Sequence, residues 1–214
     1  MKHIVKGREP RSLTVHRRQA GADYDNYAEK DDLRDTLLME QGDLCCYCMR
    51  RIAVENMKIE HWASQTRYPN RQLDYQNLLA ACEGGMGAPK HLQHCDTRKG
   101  DDDIRIHPAD RQHNCETYIR YQADGEIYSD NDRINHDLNK VLNLNLQRFC
   151  YNRKAVLVGM LDALRKKRPD GVWTKSFLQV EQRRWSHRAA GGQFLEYCQV
   201  VSYHLQKKIA RTRN

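Results

Sequence analysis

The 214 residues contain no run of eighteen apolar side chains, so no α-helical membrane span is expected. The opening stretch, residues 1–12, is basic and lacks an apolar centre, so it does not read as a secretory leader. Internal repeats and low-complexity linkers are also absent. The chain has one C-x2-C pair and no second one to match it. What is present suits a folded, soluble α+β protein of one large domain or two small ones. The hydrophobic fraction is 39% and the charged fraction 30%, outside the disordered range.

The net charge of +8 is unevenly spread. Residues 1–134 carry 20 Lys/Arg against 23 Asp/Glu, whereas residues 135–214 carry 16 against 5, a local net of +11. A basic C-terminal part suits an anionic partner such as nucleic acid, and equally suits a solvated helical surface.

The chain divides by pattern into three segments. Residues 1–43 begin with an irregular basic arm (1–22). An acidic amphipathic helix over 23–43 follows, carried by Leu33, Leu37 and Leu38 and stopped near Gly42. Residues 44–112 are rich in cysteine, histidine and loops. Residues 113–214 open with a hairpin signal, Asp124-Gly125 between two β-prone runs. Helical spacing then takes over. Ile134, Leu138, Val141 and Leu142 share a face, and helices are expected over 147–167, 174–187 and 193–211. Pro169-Asp170-Gly171 and Gly191-Gly192 separate those last three.

Eight cysteines occur, at 45, 46, 48, 82, 95, 115, 150 and 198. Cys45 and Cys48 stand at a spacing that lets two thiolates grip one Zn²⁺ from a tight turn. Cys82 and Cys95, on either side of a glycine-rich loop, would complete a closed tetrahedral site. His91 and His94 compete for the fourth place, and Cys46 competes with Cys45. A closed site of this kind is structural, because it leaves no open coordination position. Cys115, Cys150 and Cys198 read as ordinary buried or half-buried thiols.

Between the cysteines lie Glu60-His61, then Asn77, then Asp96 directly after Cys95. Phosphodiester hydrolysis needs a base that works near neutral pH, which histidine supplies, and a hard divalent cation, which carboxylates hold. Each residue also has an ordinary reading: Glu-His on a surface, Asn as a cap or turn, Asp as a helix cap. Bracketed by four cysteines, they form a candidate site.

The string Cys45-x2-Cys48, Ile59-Glu60-His61-Trp62, Asp74-Tyr75-x-Asn77-Leu78-Leu79, Cys82 and His94-Cys95-Asp96-x2-Lys99-Gly100 resembles the zinc-containing HNH, or ββα-metal, nucleases. It is most similar to the HNH subunit of Septu and retron-associated anti-phage systems, the PtuB type. Lys6-Gly7-x-Glu9-Pro10, the stretch from Thr117 to Ile127, and Leu142-Asn143-Leu144-Asn145 with Arg148 and Arg153 extend the resemblance over about residues 2–160. It implies a ββα core followed by helices. His61 would be the general base, Glu60 and Asp96 ligands of a catalytic Mg²⁺ or Mn²⁺, and Asn77 the residue that steadies the loop and orients the base. Asp96 stands where relatives often carry His or Asn. Lys99, with Arg98 beside it, would touch phosphate, or Lys99 is a solvated side chain at a glycine turn. The resemblance further implies a bacterial cytoplasmic effector that cleaves nucleic acid, DNA ahead of RNA, beside an ABC/SMC-like ATPase of the PtuA type. A non-catalytic zinc adaptor and a tRNA-directed RNase are the alternatives.

Overall fold

The computed structural model of the chain describes residues 1–212. The architecture is α+β and about 45% helical. In chain order the elements are α1 (Arg11–His16), α2 (Lys30–Gln41), β1 (Met57–His61), β2 (Leu78–Cys82), α3 (Cys95–Lys99), β3 (Arg120–Tyr121), β4 (Ile127–Tyr128), α4 (Asp132–His136), α5 (Gln147–Lys167), α6 (Lys175–Ser186) and α7 (Cys198–Arg211). Among the described residues, no helix is long and apolar enough to cross a membrane.

β1 and β2 pair antiparallel, with Met57 opposite Cys82, Ile59 opposite Ala80 and His61 opposite Leu78. All five residues of β2 are buried, which fits its unbroken apolar sequence Leu-Leu-Ala-Ala-Cys. α2 packs on β2 and is stitched to it by a buried amide. Gln41 Nε2 donates to the carbonyls of Leu44 and Ala80, both at 2.8 Å, and Gln41 Oε1 accepts from Ala80 N–H at 2.8 Å. α3 follows β2 and packs back on it, which gives a strand–strand–helix unit.

The N-terminal stretch departs from the irregular arm expected of it. Residues 11–16 form α1, and Leu13 is fully buried with Met1 and Ile4. Lys6 reaches inside, where its Nζ donates to Leu78 O at 2.9 Å, pairs with Glu40 at 3.0 Å and lies 3.7 Å from the centre of the Tyr75 ring. Burial lowers this ammonium to about 8, partly offset by Glu40. α2 also starts later than expected. Asp23 and Asn26 bond each other's backbone N–H groups at 2.8 and 3.0 Å, offering the chain a turn in place of a helix.

The hairpin β3–β4 turns at Asp124-Gly125 as its sequence indicates. Arg153 of α5 is buried and donates to Gly125 O, to Leu144 O at 2.9 Å and to Asn145 Oδ1 at 2.9 Å, fastening hairpin and helix together. α7 begins at Cys198 and not at 193. Residues 193–195 are irregular and 196–197 turn, with Tyr197 left-handed at φ 54°, and Phe194 N–H is bonded to Gly42 O at 3.1 Å. One hydrophobic cluster runs from Met1 through β1, β2 and the hairpin to Val200. A smaller one joins Leu157, Met160 and Leu164 of α5 to Leu178 of α6 and to Val201 and Leu205 of α7.

Candidate metal centre and carboxylate site

Cys45 and Cys48 sit in a tight turn closed by a bridge between Leu44 and Arg51 and by the bond from Met49 N–H to Cys45 O at 3.1 Å. Met49 takes a left-handed conformation, φ 63°, to make that turn. Cys82 ends β2 and Cys95 begins α3. The loop between them must bring two chain segments almost into contact. Gly84 is where they meet: a Cβ there would lie 2.3 Å from His94 O, and φ is +63°.

The four sulfurs all lie within 4.8 Å of one another and all four residues are buried. Cys45 and Cys95 Sγ are 3.9 Å apart, Cys48 and Cys82 Sγ 3.8 Å. A tetrahedron with Zn–S bonds of about 2.3 Å has edges of about 3.8 Å. The cluster therefore matches a closed four-cysteine zinc site in donor type, number and spacing. Burial pushes the Cys48 and Cys95 thiols well up. Cys45, against the same burial, is drawn well below its usual value by hydrogen bonds from Cys46, Cys48, Cys82 and Cys95. A divalent ion is what would let four thiolates coexist in so buried a cage.

The other candidate ligands fall outside the cage. His91 is exposed. Cys46 is not one of the four clustered sulfurs, although its thiol hydrogen-bonds Cys45, and its N–H bonds Ala80 O at 3.0 Å. His94 stands beside the sulfurs, Nδ1 3.2 Å from Cys95 Sγ, with its ring edge-on to Phe149 at 4.6 Å. Burial lowers it to about 4, so it is neutral and can donate one N–H to a thiolate.

On β1, Lys58 and Glu60 alternate onto one face and meet α3, as period-two geometry requires. Glu60 is 1% exposed. Its Oε1 accepts from Tyr47 Oη at 2.6 Å and pairs with Lys99 Nζ at 3.0 Å. Asp96 pairs with Lys58 Nζ at 2.6 Å, and Lys58 also reaches Thr97 Oγ1 at 3.2 Å. Glu60 and Asp96 share a hydrogen bond. Burial first, then Asp96, push the Glu60 carboxyl well up; Lys99 and Tyr47 oppose this without reversing it. Burial also pushes Asp96 up, but the Glu60 hydrogen bond and the Lys58 ammonium hold it below the ordinary range. The pair thus shares one proton: Glu60 donates and Asp96 carries the charge.

His61, the last residue of β1, makes different contacts from Glu60, while Asp96 still acts on its ring. Its Nε2 is 3.0 Å from Gln72 O, and its ring meets Tyr24 at 4.5 Å in an edge-on arrangement. A carbonyl only accepts, so Nε2 carries the proton and Nδ1 keeps its lone pair. Burial lowers the His61 pKa, with the Gln72 carbonyl and Asp96 opposing, so the ring is neutral. Asn77 is fully buried. Its Oδ1 accepts from Ala63 N–H at 2.7 Å, and its Nδ2 donates to Ala63 O at 3.0 Å and Arg71 O at 3.1 Å. It clamps shut the loop that carries Gln72 beneath His61. Lys99 is 2% exposed and turned inward, donating to His61 O at 3.1 Å as well as pairing with Glu60. Arg98 is the outward one, bonded to the carbonyl of Lys90 at 2.9 Å. Tyr47, Tyr24, Gln72 and Lys58 were not singled out from sequence. Of these only Lys58 carried a readable signal, two residues before Glu60 on a strand.

No family model matches the chain. A curated protein of Vibrio cholerae serotype O1 biovar El Tor, named "Retron Vc95 putative HNH endonuclease", is 29% identical over 119 residues, which are 54% of this chain and 54% of that protein. The chain therefore aligns with about half the length of the relative it matches, and that relative is similar to it in sequence.

Proposed function

We propose that the chain is an HNH nuclease that hydrolyses phosphodiester bonds in nucleic acid. The observation that carries the reading is the strand–strand–helix unit, with four cysteines bracketing Glu60, His61 and Asp96. The Vibrio cholerae relative's name supports it. Residues 44–112 would be the nuclease core, with an N-terminal segment before it and a basic helical region, 113–214, after it.

Glu60 and Asp96 would hold a Mg²⁺ or Mn²⁺ through oxygen donors, the type these ions prefer. When bound, that ion would stabilise charge on the phosphate and on the leaving oxygen. The chain's own residues do the rest. For a cation to be held there, the proton between the carboxylates would pass to solvent and Lys58 would give up its place on Asp96. His61 takes the proton of the attacking water at Nδ1, because Gln72 O engages Nε2. Asn77 keeps Gln72 in position and so fixes which nitrogen is basic. The further reading, that the chain is the effector of an anti-phage complex in the bacterial cytoplasm beside an ABC/SMC-like ATPase, rests on the resemblance and on the relative's retron name.

A second reading has an observation of its own. Lys58 already neutralises Asp96 at 2.6 Å and Lys99 occupies Glu60 at 3.0 Å, which favours a zinc adaptor without catalysis. One experiment separates the two. His61→Ala and wild type are assayed for plasmid nicking and RNA degradation with Mg²⁺ or Mn²⁺, with and without the ATPase. The nuclease reading expects the variant to lose at least about a hundredfold while retaining zinc. If the wild type cleaves no nucleic acid under any of these conditions, the adaptor reading stands.

A further inference from the structure

A cavity of about 670 Å³ opens between the hairpin β3–β4, α5 and α7, outside the site just described. Its volume lies in the range, about 300–1,000 Å³, that small-molecule sites occupy. Its walls differ in character. α5 contributes Leu157 and Leu161, one helical turn apart, and the hairpin contributes Tyr128. α7 contributes His204, Lys207, Lys208 and Arg211, spaced so that they share one face. No carboxylate lines it among the described residues.

The cations are placed but not neutralised. Lys207 lies 5.3 Å from the Tyr203 ring and Lys208 4.9 Å from the Trp173 ring, and among the described residues none of Lys207, Lys208 or Arg211 pairs with Asp or Glu. Three cations on one helix face repel each other unless an anion comes between them. His204 adds a second, independent mark. Its Nε2 is buried and has no hydrogen-bond partner, a state that native interiors rarely leave uncompensated.

An apolar and aromatic wall opposite a cationic one matches a ligand with a flat π-face at one end and phosphate at the other. We propose that this cavity binds a phosphorylated nucleoside, its base against Tyr128 and Leu161 and its phosphates on Lys207, Lys208 and Arg211. The same chemistry occurs in a free nucleotide and in the 5′-end of a single strand. Aromatic stacking is sequence-tolerant, so no particular base is required. The proposal stands apart from the nuclease reading, because none of these residues belongs to the Glu60–His61–Asp96 site.

The test is calorimetric titration of the zinc-loaded full chain with ATP, with inorganic tripolyphosphate and with a 5′-phosphorylated single-stranded oligonucleotide. Binding of ATP, of the oligonucleotide, or of both supports the site and identifies the source. Lys208→Gln/Arg211→Gln should weaken that binding at least tenfold. Tyr128→Leu should weaken ATP several-fold while leaving tripolyphosphate unchanged. Zinc content and thermal melting verify that the variants are folded; should one fail, the salt dependence of wild-type ATP binding replaces it, and salt-insensitive binding counts against the proposal. The proposal is overturned if neither ATP nor the oligonucleotide binds at millimolar concentration. It is equally overturned if tripolyphosphate binds as tightly as ATP, or if the folded charge variants bind like wild type.

Discussion

Replacing Asn77 tests the central structural claim, that one buried amide holds the loop on which the His61 tautomer depends. Asn77→Ala removes an acceptor 2.7 Å from Ala63 N–H and a donor 3.0 Å from Ala63 O and 3.1 Å from Arg71 O. The two Ala63 groups are buried, whereas the Arg71 carbonyl lies in a half-buried residue that water can reach. An orphaned buried polar group costs about 1–3 kcal/mol, so two of them give a loss of about 2–4 kcal/mol, allowing for water entering the small gap. That is a large share of the roughly 5–15 kcal/mol that keeps a domain folded. The assay is urea unfolding at fixed free zinc, so that metal release does not distort the midpoint. Asn77→Asp sharpens the test. The aspartate keeps the acceptor for Ala63 N–H but sets a carboxylate oxygen against two carbonyls, so its folded pKa rises above the unfolded one. A raised carboxyl pKa makes stability fall as pH rises, and Asn77→Asp should lose ground to Asn77→Ala between about pH 4 and 7. A change below about 0.5 kcal/mol for Asn77→Ala, or an Asn77→Asp protein that gains on it with rising pH, would refute the reasoning.

Three further outcomes follow from the geometry. Cys48→Ser/Cys95→Ser should purify without zinc, and metal analysis that still finds one equivalent would remove these residues from the ligand set. His107 sits 4.5 Å from the Trp62 ring and accepts from Ala109 N–H at 2.9 Å, and burial lowers its pKa to about 4. Its depressed pKa contributes stability that is complete above the unfolded value near 6.5 and is lost as pH falls towards 4, up to about 3 kcal/mol. Unfolding of His107→Gln between about pH 4 and 7 should therefore show a flatter pH dependence than wild type, and a parallel curve counts against this account. At Gly125, φ is +95° and a Cβ would meet Cys150 O at 2.0 Å, whereas at Gly171, φ +71°, it would meet nothing within 4 Å. Gly125→Ala should cost about 3 kcal/mol or more and Gly171→Ala only about 1–2 kcal/mol, the left-handed penalty alone; equal melting temperatures would contradict the close approach.

What the sequence made legible, and what it did not, divides along contact range. α5 falls on 147–167 because its apolar residues recur at helical spacing and Pro169-Asp170-Gly171 bars continuation. The cysteine cage was readable because metal chemistry restricts which residues can meet, whatever the distance along the chain. α1 escaped notice because six residues with one buried leucine carry almost no period. The buried charges escaped for a different reason. Lys6, Lys99 and Arg153 read as surface residues by type, yet each is drawn inside by partners far along the chain: Glu40 and Leu78, Glu60, and Gly125 with Leu144. Burying a charge is unfavourable unless its partners wait in place, and nothing local announces those partners.

The same limit governs the candidate site, and it explains what a metal in the cysteine cage would accomplish there. The unit that carries Glu60, His61 and Asp96 consists of two five-residue strands and a five-residue helix, too little to hold a geometry by its own packing. Cys82 ends the second strand and Cys95 begins the helix, so a metal held by both with the Cys45–Cys48 turn would fix α3 against the strands. Asp96 is the residue directly after Cys95, so an anchored Cys95 would help set where Asp96 meets Glu60. The alignment of the two carboxylates would thereby be coupled to the thiolates, although no sulfur belongs to the carboxylate pair. If that coupling holds, Cys95→Ser should lose more activity than its loss of stability accounts for, and the excess should vanish in an Asp96→Ala background, where there is no carboxylate left to misplace. An excess that persists in that background would mean that the cage supports the fold but not the site.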